Sequence, residues 1–187
     1  MARNTLSRSL HDVGLAAWFG GTLANAVALN PAAAESGSAS SAGAVTNAGW
    51  DRWTPVNAAA IAAHIAGSIG QVAGNSSRIS TQQGVGSMVV VKTALTVAAL
   101  GATGYSRVLG RKVSEHTAVP VQAGTQPAAT TPPDVANAQR QLAAMQWVVP
   151  ALTGALVVVS SFAGEQQRAG EVHRGLRDRL LPSALTS

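Results

Sequence analysis

The chain contains no cysteine among its 187 residues, and charged and aromatic side chains are scarce. The absence of cysteine excludes disulfides, zinc-thiolate sites, iron-sulfur clusters and thiol catalysis. Charged residues make up 11% of the sequence, against about 25% in typical soluble domains. Aromatic residues make up 4%, so a soluble core would lack the large side chains that usually fill it. These shortages are typical of a membrane protein whose helices pack through small residues.

The few charges are distributed unevenly along the chain. The formal net charge is +5, but the basic residues lie outside the apolar runs with the exception of Lys92. No basic helix carries interleaved aromatic residues, so binding to nucleic acid is not indicated.

The apolar residues form four long runs. The clearest run extends from Gly84 to Tyr105, which exceeds the roughly 20 residues that a helix needs to cross a bilayer. The runs predict spans near 13–29, 56–74, 85–105 and 143–163. The predicted fold is all-α, a four-helix transmembrane bundle that forms a single integral membrane domain over residues 1–187.

The segments between the predicted spans are polar or low in complexity. Residues 30–50 and 113–133 are predicted to be flexible loops. Thr54 and Pro55 are predicted to be the N-cap and the first residue of the second helix. The basic tail over 165–187 is predicted to be an amphipathic helix on a membrane surface, or alternatively a solvated helix end.

The first run also has the outline of a secretory signal peptide, with small residues after Asn30 where cleavage would occur. Trp18, Gly20 and Asn25 interrupt the run, whereas the apolar segment of a signal peptide is typically plain and rich in leucine. We therefore predict that the segment is retained as the first span. Cleavage after Ala34 would leave three spans.

Charge and aromatic residues near the span ends predict the orientation. Four spans place both termini on one side, and seven basic residues against five favour cytoplasmic termini. The basic cluster around Arg111 favours the opposite orientation. The predicted membrane-interface anchors are Trp50, Trp53, Arg168, Arg174, Arg177 and Arg179.

Polar side chains recur at helical spacing within the apolar runs, and these stripes are predicted to face the interior of the bundle. One stripe lies on the first helix and another on the second, and Lys92 and Thr96 lie on the third. The residues predicted to form a polar interior or a pathway are His11, Asn25, Asn57, His64, Ser68, Gln71, Lys92 and Thr96. Hydrogen bonding between helices, without further chemistry, is the alternative.

Lys92 is the residue whose position carries the largest free-energy cost of membrane insertion. A charge at the centre of a span costs about 2.5 to 3.5 kcal/mol on insertion scales. No acidic residue lies inside a predicted span, so Lys92 is predicted to reach Asp12 as an ion-pair partner, or Glu165. The alternative is a lysine that only fixes the depth of its helix.

The histidines and methionines of the chain bear on whether it binds a cofactor. His64 is a possible ligand for haem or a metal, but His11 lies at a helix end and the other histidines lie outside the predicted spans. The chain has three methionines and lacks the Met or Cys clusters that copper prefers. No nucleophile elbow, Walker or dinucleotide motif is present. We predict no catalytic residue and no cofactor.

The segment from His11 to Gly21, followed by Trp50 to Asn57 and then His64, resembles small uncharacterised polytopic membrane proteins of actinobacteria. The pattern His-x-x-Gly-x-x-x-Trp-x-Gly-Gly in the first helix is also similar to copper-resistance D and TMEM205-type membrane domains. The first resemblance covers about a third of the chain and implies a four-helix membrane protein, without implying an activity.

Three classes of function follow from these features. The first is a non-catalytic accessory or assembly subunit that binds other membrane protein subunits, or a second copy of itself, within the lipid bilayer. The second is a small channel or transporter in which Lys92 and His64 line a hydrated path. The third is a haem- or metal-binding membrane protein.

Overall fold

The computed structural model describes residues 4–76, 85–115 and 121–165. Within these ranges the chain forms four long helices, and the prediction of an all-α four-helix architecture is confirmed. The helices are α1 (Thr5–Ala24), α2 (Ala39–Gly74), α3 (Val85–Ser114) and α4 (Pro133–Glu165). The helix predicted over the basic tail falls on 166–187, outside the described residues.

Helix α1 continues beyond Ala24 in modified helical turns. A π-helical turn over Asn25–Leu29 is followed by a short α-helical turn over Asn30–Ala32 and a 3-10 turn over Ala33–Ser36. Pro31 has no N–H to donate to the carbonyl four residues earlier, which favours a change of hydrogen-bond register at this point. Gly37, at φ 85°, ends the segment in the left-handed conformation that glycine adopts at little cost.

The prediction of a flexible loop over 30–50 is wrong, because this segment is helical almost throughout. Helix α2 begins at Ala39, and the Ser38 hydroxyl accepts a hydrogen bond from the Ser41 N–H at 3.2 Å as the N-cap. Pro55 consequently lies inside α2 and does not start it. Alanine favours helix, and the added turns bury Ala42 and Thr46, so packing stabilises a stretch that composition alone assigned to a linker.

The segment over 113–133, predicted to be a flexible loop, contains a short hairpin where the structure describes it. Val121–Ala123 (β1) and Gln126–Pro127 (β2) form a two-stranded antiparallel hairpin. Val121 is buried, and the Gly124 N–H donates to the Asn30 carbonyl at 3.1 Å. The hairpin is therefore attached to the modified turns at the end of α1.

The four helices pack as two antiparallel pairs. Helix α1 contacts α2 extensively, α3 contacts α4 extensively, and α1 joins the two pairs through α4. In the α1–α2 pair, a Cβ added at Gly14 would lie 2.5 Å from the Ala60 carbonyl oxygen. A Cβ added at Gly67 would lie 2.3 Å from the His11 backbone nitrogen. These two positions require glycine, because they bring the helix backbones together.

Helices α2 and α3 do not form a packed interface, and a cleft separates them. The buried apolar core is correspondingly small and is centred on Trp18, Ala60, Ala99 and Val149. In the part of the chain that the structure describes, all four helices are long and apolar enough to cross a membrane. Polar residues lie at the base of this cleft.

Candidate functional site: a buried histidine pair between two cavities

Two buried histidines occupy the contact between α1 and α2. His11 is 1% exposed and His64 is 0% exposed, and their ring centroids are 4.5 Å apart. Each histidine is followed three residues later by one of the close-contact glycines, Gly14 on α1 and Gly67 on α2. Because the helices are antiparallel, each glycine faces the histidine segment of the other helix. The same His-x-x-Gly pattern therefore builds the contact from both sides.

Hydrogen bonds define which nitrogen of His11 carries a proton. His11 Nδ1 lies 2.7 Å from Asp12 Oδ1, and a carboxylate accepts hydrogen bonds only, so Nδ1 is the donor. The Nε2 atom of His11 is buried and has no hydrogen-bond partner among the described residues. In the neutral ring this Nε2 is an unused acceptor inside the protein.

His64 faces two oxygen atoms. Its Nδ1 lies 3.3 Å from the His11 carbonyl oxygen and its Nε2 lies 3.4 Å from Thr96 Oγ1. The Thr96 hydroxyl donates its one proton to the Lys92 carbonyl at 2.8 Å. A neutral His64 that donates through Nδ1 consequently has no proton to place between Nε2 and Thr96, whereas a doubly protonated ring would donate to both oxygens. The Nε2 atom of a neutral His64 is therefore an acceptor that receives no proton from Thr96.

Neighbouring polar groups complete the layer around His64. The Ser68 hydroxyl donates to the His64 carbonyl at 2.8 Å. Trp18 is fully buried, its ring centroid lies 6.1 Å from that of His64, and its Nε1–H donates to Thr103 Oγ1 at 3.2 Å. The His64–Thr96 and Trp18–Thr103 contacts therefore connect the α1–α2 pair to α3 across the cleft.

The cleft between α2 and α3 contains one cavity on each side of this layer. The first, here called the Trp50 cavity, has a volume of about 260 Å³ and includes Trp50, Trp53, Asn57 and Arg107 in its lining. The second, here called the Lys92 cavity, has a volume of about 510 Å³ and includes Lys92 in its lining. An ion pair between Asp51 and Arg107, at 4.0 Å, joins α2 to α3 farther along the Trp50 cavity.

The structure places the predicted interior residues at four locations. His11, His64 and Thr96 form the layer, with Ser68 and Lys92 at its border with the Lys92 cavity. Gln71 also lines the Lys92 cavity, whereas Asn57 lines the Trp50 cavity. Asn25 is buried in the π-helical turn at the end of α1 and is not brought to the layer.

The predicted ion pair between Lys92 and Asp12 is not formed at contact distance among the described residues. Asp12 instead accepts the hydrogen bond from the neighbouring His11 ring, and its side chain is 60% exposed. The two residues do enter from the same end of the bundle, but the carboxylate is held on α1 by its adjacent histidine. The side chain of Glu165, the alternative partner, lies outside the described residues.

The two tryptophans predicted as interface anchors are half-buried on α2. The Trp50 Nε1–H donates to Asn30 Oδ1 at 3.2 Å, and the Trp53 Nε1 atom is buried. The Trp53 ring occupies the space beside Gly21, where any Cβ would overlap it. Both residues lie within a helix and not in a loop, because α2 starts before them. Their role as membrane-interface anchors stays a prediction. The other predicted anchors, Arg168, Arg174, Arg177 and Arg179, lie outside the described residues.

Sequence reasoning missed two buried amides. Asn30 is 3% exposed and connects three elements, since its Nδ2 donates to Gln146 Oε1 at 2.8 Å and its Oδ1 and carbonyl accept from Trp50 and Gly124. Gln139 is fully buried on α4, and neither atom of its amide has a hydrogen-bond partner among the described residues. Asn30 follows an apolar run and precedes Pro31, which made it resemble the start of a loop. No spacing signal marks Gln139.

The histidine pair does not form part of a three-residue metal set in the described ranges, where no group of three or more His, Asp or Glu side chains is suited to a metal ion. The ring centroids of His11 and His64 are 4.5 Å apart, and the ring planes are tilted by 46°. This distance is too short for a porphyrin to lie between the two rings. Metal–imidazole bonds of about 2 Å on each side would place the ring centres farther apart than this.

No family model, curated protein or solved structure matches the chain. The resemblance to small actinobacterial membrane proteins therefore stays a prediction.

Proposed function

We propose that the protein is a multi-pass membrane protein of the bacterial plasma membrane, with its four helices inserted in the bilayer. The proposal is supported by large apolar side chains that remain exposed on the outside of the helices, such as Val13, Val90 and Val108 at 68%, 67% and 65%. Soluble proteins rarely expose contiguous apolar surface of this extent. Recovery of the protein in the membrane pellet after carbonate extraction is the expected result, and recovery in the supernatant would refute insertion.

Within the membrane, we propose a non-catalytic role as an accessory or assembly subunit that binds another membrane helix through α3. The observation that carries this proposal is the low burial of α3. Only 6% of its most apolar window is buried, against 22 to 28% for the corresponding windows of the other helices. A helix that its own bundle covers so little has a large surface left for a partner.

Small residues on α3 support the same proposal. A Cβ added at Gly101 or Gly104 would meet no atom within 4 Å. The spacing of three residues places both glycines on one side of the helix. A glycine at which an added Cβ would meet no atom leaves room for close approach of a second helix, which is how membrane helices commonly associate.

The experiment substitutes these glycines in the full-length protein and compares the proteins that purify with it in a mild detergent. Gly101→Leu and Gly104→Leu are expected to leave the monomer folded and to remove a stoichiometric partner detected by mass spectrometry. Gly20→Leu is the matched control, because Gly20 on α1 also has no atom within 4 Å of an added Cβ. Absence of any stoichiometric partner for the unmodified protein, or an unchanged partner for both α3 variants, would contradict the proposal. A partner that is a second copy of this chain would identify a homo-oligomer.

A second function, a small channel or transporter for protons, is favoured by the position of His64 between the two cavities. The His64 ring lines neither cavity, but it lies along α2 between Ile61 in the lining of the Trp50 cavity and Ile65 in the lining of the Lys92 cavity. Buried ionisable residues with this placement mark ion pathways in membrane proteins. Lys92 borders the same path.

Liposomes that contain the purified protein and an internal pH dye test this second function. An imposed pH gradient is expected to collapse faster with the unmodified protein than with His64→Gln, which retains polar atoms but does not titrate. Ser161→Ala, a change at an exposed hydroxyl on α4, is the control. Equal rates for the unmodified protein, for His64→Gln and for empty liposomes would exclude a proton path.

A further inference from the structure

Among the described residues, the lining of the Lys92 cavity combines an aliphatic wall with one cationic side chain. Its apolar lining includes Ile65, Ile69, Val72, Met88, Val89 and Val97, contributed by α2 and α3. Its volume of about 510 Å³ falls within the range of about 300 to 1,000 Å³ that is usual for small-molecule sites. Several wall residues are themselves exposed, Ile69 at 65% and Val97 at 63%. The cavity therefore opens to the outside of the bundle, where lipid would lie.

Two polar side chains of this cavity offer hydrogen-bond donors for which the described residues supply no acceptor. Among the described residues, no carboxylate lies within 4.0 Å of the Lys92 ammonium. The Gln71 Nε2 atom is buried and has no acceptor in the same part of the chain. The Ser68 and Thr96 hydroxyls, by contrast, already donate to backbone carbonyls. An ammonium and an amide N–H in an apolar surrounding are complementary to one anionic group.

We propose that the Lys92 cavity binds a single-chain amphiphile with a terminal carboxylate, that is, a long-chain fatty acid. The carboxylate pairs with the Lys92 ammonium and accepts from the Gln71 amide, and the alkyl chain lies along the aliphatic wall. Lys92 is seven residues from Val85 at the start of α3, or about 10 Å along the helix axis. With α3 entering the bilayer at Val85, as the proposed insertion requires, Lys92 lies below the headgroup layer. A site at that depth favours binding of a slender carboxylate over binding of the headgroup of a two-chain phospholipid. This assignment goes beyond the proposed subunit role and does not depend on a partner helix.

The test measures binding of radiolabelled palmitate to the purified full-length protein in dodecyl maltoside. Hexadecanol, with the same chain length and no charge, serves as the competitor that separates chain binding from carboxylate recognition. Lys92→Gln removes the cation, and Val89→Trp fills the cavity from its wall. Arg111→Gln is the matched control, because it removes an exposed cation near the other end of the same helix, outside the lining of either cavity.

The unmodified protein is expected to bind palmitate with a preference of about tenfold or more over hexadecanol, the size of effect produced by one charge-assisted contact. Lys92→Gln is expected to reduce that preference to near one, and Arg111→Gln to leave it unchanged. Val89→Trp is expected to weaken both ligands, with thermal unfolding of each variant confirming that it remains folded.

Four results would overturn the assignment. These are equal binding of palmitate and hexadecanol by the unmodified protein, retention of the carboxylate preference by Lys92→Gln, displacement of palmitate by phosphatidylglycerol at equal concentration, and displacement by acetate at similar concentration. The last two identify a phospholipid headgroup or a small anion as the occupant. Partner copurification is scored on the same preparations, so failure of the subunit proposal is distinguishable from failure of this one.

Discussion

Replacing Gly14 by alanine tests the close contact that brings the two histidines together. The added methyl would lie 2.5 Å from both the Ala60 carbonyl oxygen and the His64 backbone nitrogen, closer than the 3.0 Å that Cβ atoms ordinarily keep. Both obstructing atoms belong to the backbone, so rotation of a side chain cannot relieve the overlap. The two helices must therefore separate, and the distance between the His11 and His64 rings must increase.

The expected magnitude is the balance of two opposing effects. Overpacking a well-packed contact costs about 1 to 3 kcal/mol, whereas alanine stabilises a helix interior by about 0.5 to 1 kcal/mol relative to glycine. Gly14→Ala should therefore lower the free energy of unfolding by about 1 to 2 kcal/mol. Gly20→Ala, on the same helix, meets no atom within 4 Å and should raise it by about 0.5 to 1 kcal/mol.

Titration with sodium dodecyl sulfate from mild detergent, followed by tryptophan fluorescence, measures the free energy of unfolding for both variants. Trp18 lies in the core beside His64, so its emission reports separation of the helices. The Gly14 variant should be less stable than the Gly20 variant by about 2 kcal/mol. Equal stabilities of the two variants would show that α1 and α2 do not approach at Gly14, and would remove the basis of the histidine pair.

Three further substitutions test individual buried groups by the same unfolding measurement. Lys92→Met should leave the protein as stable as the unmodified chain or more stable, because a charge with an insertion cost of about 2.5 to 3.5 kcal/mol is removed; a loss of folded protein would instead indicate a stranded carboxylate partner. Thr103→Val leaves the buried Trp18 N–H without its acceptor and should cost about 1 to 3 kcal/mol, so a change below about 0.5 kcal/mol would contradict that hydrogen bond. Gln139→Leu replaces a fully buried amide that has no partner among the described residues and should stabilise the protein by about 1 to 3 kcal/mol. Destabilisation by Gln139→Leu would show that the amide binds a group of its own.

The hydrophobic pattern of the sequence predicted where the helices lie but not where they begin and end. The predicted spans near 56–74 and 85–105 lie inside α2 and α3, yet α2 starts at Ala39. The extra turns are stabilised by contacts with the 3-10 turn over Ala33–Ser36 and with the β1 strand. The contacts with β1 join segments that are far apart in sequence, and no property of the Ala/Ser/Gly stretch taken alone reveals them.

The sequence by itself determined the helical architecture, because long apolar runs and a shortage of charge constrain a chain through composition and period alone. It also indicated that His11 and His64 lie on polar faces, since helical spacing assigns residues to faces. Only the tertiary structure decided which faces meet. The glycines at positions 14 and 67 allow α1 and α2 to approach and bring the two rings into contact. The lack of a packed interface between α2 and α3 leaves the two cavities. The separation of Lys92 from Asp12 was likewise a tertiary result, because periodicity reports where a side chain lies around its own helix and not which atom on another helix it reaches.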